Sequence, residues 1–219
     1  MTLIRTRILI PMPNKLANLR LRLGRRAFLS TAAAGAALPF LPRPAHALNA
    51  SQAQALVEAA VADVNRVIAS GGSEASILRD MERILSTYAD VPTIARSVLG
   101  PVARTASNAQ MRAFTEAFQD YFSAKYGRRF REFIGGSITV NSARPVRSFF
   151  EVITTVNMRN EAPFELRWLV SDGSGRPLFF NLIIEGVNLM ISERTEIGAM
   201  LEARGGNIDA LTQHLRTLG

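Results

Sequence analysis

The sequence predicts an α+β domain: N-terminal helices packed on an antiparallel sheet of about four strands, with C-terminal helices closing the chain. Three observations carry this. Apolar residues recur every three or four positions before Gly135-Gly136, every second position after it, and every three or four again near the C-terminus. The strand runs are joined by short connections, which suit antiparallel neighbours. A run of helices, then strands, then helices fits helices laid against one sheet.

The elements follow in order. Leu56, Ala60, Val64 and Val67-Ile68 form one apolar face, so a helix is expected from about Ser51 to Ala69, ended by Gly71-Gly72. Ser73 can cap a second helix, with Glu74 favourably placed in its first turn and Ile77, Met81, Ile84, Leu85 and Tyr88 as its stripe. Val91 to Leu99 reads as a short helix closed by Gly100-Pro101. Ser107-Asn108-Ala109-Gln110 is a capping box and opens the longest helix, which is expected to run to Phe133. Met111, Phe114, Phe118, Phe122, Tyr126, Phe130 and Phe133 share one face of it. An aromatic stripe this wide needs a large apolar partner surface.

The alternating runs are Phe149–Met158, Phe164–Val170 and Pro177–Glu185, with Asp172-Gly173-Ser174-Gly175 as a hairpin turn. Gly186 is expected to be a bulge in the last strand. Ser192 is expected to cap a helix from Glu193 to Ala203, and Asn207 a final one carrying Ile208, Leu211, Leu215 and Leu218.

Ahead of this domain, residues 1–47 read as a cleaved export signal. A basic stretch precedes an apolar run from Ala27 to Leu41, and Ala45-His46-Ala47 supplies the small side chains that signal peptidase needs beside the scissile bond. Gly24-Arg25-Arg26-Ala27-Phe28-Leu29 matches the twin-arginine pattern. The apolar run is about 15 residues, short of the ~20 that span a bilayer. Residues 1–47 hold eight of the 26 Lys and Arg and none of the 18 acids, so residues 48–219 balance at 18 of each. The basicity belongs to the signal, and the case for nucleic-acid binding goes with it. About 172 residues remain, suited to one domain. With no cysteine there is no disulfide, thiolate metal site or lipidated N-terminal cysteine.

Catalytic groups are scarce. Beyond residue 47 there is one histidine, His214, and one lysine, Lys125. No nucleophile motif, metal-ligand spacing or phosphate-cradling glycine loop is present. Glu151, Glu165 and Glu185 lie on strands; they can converge as a carboxylate set or sit exposed on the polar alternation. Arg128, Arg129 and Arg131 form either a phosphate-facing rim or a solvated helix end. A small exported enzyme with a carboxylate-lined cavity and a non-lipid adaptor both remain open on residue chemistry alone.

Three segments together resemble the MlaC-type family of periplasmic phospholipid-binding proteins, also called toluene-tolerance auxiliary components. They are Asp90–Gly100 with Arg104-Thr105-Ala106-Ser107; the Phe114, Phe118, Phe122, Tyr126 helix; and Ile184–Leu189 running into Arg194–Leu201 and Gly205–Leu211. Asn181 and Asn188 depart from the family pattern, which commonly has Asp and Ser there. The resemblance implies a soluble periplasmic carrier, not an enzyme, with phospholipid as cargo held in an apolar cavity enclosed between sheet and helices, and with neither cofactor nor metal. It would pass lipid between an inner-membrane ABC transporter complex and an outer-membrane lipoprotein complex, in support of outer-membrane lipid asymmetry. Candidate lipid-lining residues are Val98, Leu99, Phe114, Phe118, Phe122, Tyr126, Val156, Trp168 and Phe180.

Overall fold

The computed structural model describes residues 48–219. The export signal read over residues 1–47 lies outside the described residues. Helix α1 spans Ala50–Ser70 and is capped by Asn49, whose side chain accepts from Gln52 N at 2.9 Å while Gln52 Oε1 accepts from Asn49 N at 3.1 Å. Helix α2 covers Glu74–Tyr88 behind the expected Ser73 cap. Asp90 caps α3 (Val91–Leu99), where Pro92 stands in the first turn and its missing N–H costs nothing. The chain then continues as a 3-10 turn, Gly100–Arg104. Ser107 and Gln110 form the reciprocal box at the head of α4 (Asn108–Arg129). A 3-10 turn, Phe130–Phe133, replaces the expected last turn of that helix.

The sheet has five antiparallel strands in chain order, one more than expected: β1 (Ser137–Val146), β2 (Phe149–Asn157), β3 (Phe164–Ser171), β4 (Leu178–Ile184) and β5 (Val187–Asn188). Periodicity is weak in β1 because its second half is polar and carries Pro145. Proline is tolerated there because β1 lies at the sheet edge, and its register also shifts between Val140 and Ser142. Gly186 is not a bulge. With Glu185 it makes a two-residue hairpin turn, φ +49° and +82°, the positive values a type I′ turn requires.

That tight turn leads directly into α5 (Leu189–Glu202), whose cap is Asn188 rather than Ser192. Asn188 Oδ1 accepts from Ile191 N at 3.1 Å, and the Ser192 hydroxyl bonds back to Asn188 O. Helix α6 (Ile208–Arg216) starts at the expected Asn207 cap.

Two hydrophobic cores result. In the first, Val57, Val61 and Val64 of α1 and Ile84 of α2 pack on Val152, Val156, Trp168 and Phe179 of the sheet. Trp168 Nε1 donates to Thr154 Oγ1, whose hydroxyl donates to Leu166 O, so this buried polar pair is satisfied. The second core gathers Val98 of α3, Phe114 and Phe118 of α4, Ile197 of α5, and Leu211 and Leu215 of α6. Ile94 and Phe122 pack against both.

Candidate functional site

The seam between the two cores is open. It forms a cleft walled by Leu85 of α2, Val91 and Ile94 of α3, Phe118, Gln119 and Phe122 of α4, Phe179 to Leu182 of β4, and Leu189, Met190 and Glu193 of α5. About 450 Å³ of space lies between these walls, part of it open to solvent. Four consecutive residues of one strand can line it because β5 pairs only with Ile183 and Ile184, leaving Phe179–Leu182 paired with β3 on one side and with no strand on the other. Instead Asp90 N at the head of α3 donates to Phe179 O at 2.8 Å. Asn181 ties the same edge to α5. Its Oδ1 accepts from Met190 N at 3.1 Å, and its Nδ2 donates to Asn188 Oδ1 at 2.9 Å.

The walls are apolar except at Gln119, Asn181 and Glu193. Glu193 is 2% exposed. Its Oε1 accepts from Lys125 Nζ at 2.7 Å and from the Tyr126 hydroxyl, while its Oε2 has no partner among the described residues. Lys125 also donates to Glu196 Oε2 at 2.6 Å, and the Tyr121 hydroxyl donates to Glu196 Oε1 at 2.6 Å. Two carboxylates of α5 thus hold one ammonium and two phenols of α4. Burial works against the Lys125 charge, but the hydrogen bonds to Glu193 and Glu196 outweigh it and raise its pKa above the ordinary lysine value. Burial, helped by the neighbouring carboxylates, raises both tyrosines as well. Glu196 is held below the usual carboxylate range because Lys125 and Tyr121 outweigh its desolvation.

The structure brings Phe118, Phe122 and Phe180 together in the cleft. The other expected lining residues lie elsewhere. Val98, Leu99 and Phe114 are inside the second core, and Val156 and Trp168 inside the first, because each faces a helix or sheet surface rather than the seam. Tyr126 stands at the polar edge, its ring 4.5 Å from that of Phe122. The strand carboxylates do not converge here. Glu151, 5% exposed, is not on a solvated face; it is bound by Arg144 and Arg167. Glu165 and Glu185 are exposed. Arg128 donates to Leu218 O at the end of the chain, and the side chains of Arg129 and Arg131 lie outside the described residues.

Glu193 is hidden in the sequence by a misplaced cap. With Ser192 as cap it becomes a first-turn acid favoured by the helix dipole. With Asn188 as cap it falls on the buried face with Ile197 and Leu201, a four-residue spacing that marks an acid at a core position. Among the described residues no group of three His, Asp or Glu is placed to hold a metal ion. No described helix is long and apolar enough to cross a membrane.

The arrangement has counterparts. A phospholipid-binding protein from Ralstonia solanacearum, solved in complex with a phospholipid, superposes with a TM-score of 0.66 at 21% identity, covering 76% of this chain and 96% of that one. It shares the fold. The family model described as MlaC protein matches residues 54–217, nearly all of the described residues. The chain belongs to the MlaC family.

Proposed function

We propose that this protein is a soluble periplasmic carrier that takes phospholipid acyl chains into the cleft between its two cores. The carrying observation is that cleft, whose walls are apolar apart from Gln119, Asn181 and Glu193. Two acyl chains hold roughly 30 CH₂ groups at about 0.8 kcal/mol each, so free passage through water costs on the order of 24 kcal/mol. An apolar lining offsets part of that cost, and no catalytic group is needed. Gln119, Asn181 and Glu193 would meet the glycerol or headgroup atoms. The cargo passes between an inner-membrane ABC transporter complex and an outer-membrane lipoprotein complex, after export by the twin-arginine route. Membership of the MlaC family and the shared fold with a phospholipid-binding protein support this reading.

The test is lipid extraction from gently purified exported protein, followed by mass spectrometry. Stoichiometric phospholipid is expected, and a protein free of it would overturn the reading. Phe122→Asp should abolish loading while the fold survives, because a charge in the cleft can remain hydrated. Phe114→Ala should instead cost stability, about 3–5 kcal/mol for a fully buried phenylalanine, read by urea unfolding.

A further inference from the structure

Leu48 stands one residue before the Asn49 cap of α1 and is 9% exposed, its side chain in the first core. Its backbone nitrogen donates to Asp172 Oδ2 at 2.9 Å, across 124 residues of chain. Asp172 belongs to the β3–β4 turn, where its carbonyl accepts from Gly175 N at 2.8 Å. The neighbouring Ser174 hydroxyl donates to Asp90, the cap of α3. The turn that presents Asp172 is therefore anchored. Independently, the small-x-small pattern Ala45-His46-Ala47 ends immediately before Leu48. A sequence signal and a long-range hydrogen bond meet at one nitrogen.

We propose that a signal peptidase cleaves between Ala47 and Leu48, and that Asp172 is the built receptor for the α-ammonium this creates. The reaction is a hydrolysis. The Ala47 C–N bond breaks, water oxygen adds to the Ala47 carbonyl carbon to leave a carboxylate, and the Leu48 nitrogen gains the protons. A neutral amide donor becomes a cation facing a carboxylate, and charge-assisted hydrogen bonds are roughly twice as strong as neutral ones. The new charge also lies at the positive end of α1's dipole, where a cation is disfavoured, so Asp172 cancels a penalty that cleavage would otherwise introduce. Processing thus tightens the fold by joining the start of α1 to the far hairpin.

The proposal rests on the export reading for the cleavage alone, and two measurements separate them. Intact mass and N-terminal sequencing of the exported protein are expected to give Leu48; any other terminus overturns both. Thermal unfolding is then compared for the processed chain and for one retaining Ala47 behind a short upstream extension, each with and without Asp172→Asn. The substitution is expected to lower Tm by about 2–4 °C more in the processed chain, because only there does it remove an ion pair. Equal losses overturn the receptor while leaving the cleavage standing. The unsubstituted processed chain gives a second readout. Its α-amine should react with an amine-reactive ester roughly tenfold more slowly when folded than in urea, because labelling must wait for local opening. Equal rates overturn the proposal.

Discussion

Lys125 is the only lysine beyond residue 47, and it divides its charge between two carboxylates of another helix. Lys125→Met leaves Glu193 buried without its cation. The expected loss is about 3 kcal/mol, the lower end for a broken buried pair because Lys125 keeps 28% of its side-chain exposure; urea unfolding measures it. The same network sets an alkaline limit. Lys125, Tyr121 and Tyr126 all have folded pKa values above their ordinary 10.5 and 10.0. Each therefore contributes stability that is intact below the unfolded value and lost as pH rises through the folded one. Urea midpoints should fall from about pH 10 upward, and less steeply in Tyr126→Phe, which removes one of the three groups. Phe118 and Phe122 are legible as residues of an apolar wall because large aromatics at regular helical spacing mark one. Glu193 is not, since its meaning depends on where the helix begins. Asn181 donates its side-chain amide to Asn188, so the two residues act as one hydrogen-bonded pair.

At the scale of elements, the helices are legible because caps and 3.6-residue periodicity are local. Ser73, Ser107 and Asn207 each cap the helix expected of them. The edge strand β1 is the element that periodicity does not mark, because an edge with one neighbour tolerates polar residues and a proline that a central strand would refuse. Its start is nevertheless tightly specified. A Cβ on Gly136 would stand 2.4 Å from the Asn157 carbonyl oxygen, a backbone atom that cannot rotate away. Gly136→Ala is expected to cost about 1–3 kcal/mol as an overpacking change, seen as a lower urea midpoint with an unchanged slope. The aromatic stripe of α4 is also visible, but not its division. Phe114 and Phe118 complete one core and Phe122 reaches both, because the two cores meet along this helix. Which residues of a stripe face a seam is a tertiary property, and no spacing along one helix encodes it.

The described residues form two cores from one chain, with the cleft where they meet. Helices α1 and α2 serve the first core and α5 and α6 the second, while α3 and α4 reach both, so the seam can stay open without either core losing its interior. The sheet that spans this arrangement ends badly for any strand that would join it. On one side, β1 carries a proline and a register break; on the other, β4 is met by only two residues of β5, and its remaining length is covered by the head of α3 and by α5. Neither side offers a long flat row of free amides and carbonyls, the template on which chains assemble into aggregates. Among the described residues, both edges of the sheet are thereby poor templates for pairing with a second copy of the chain.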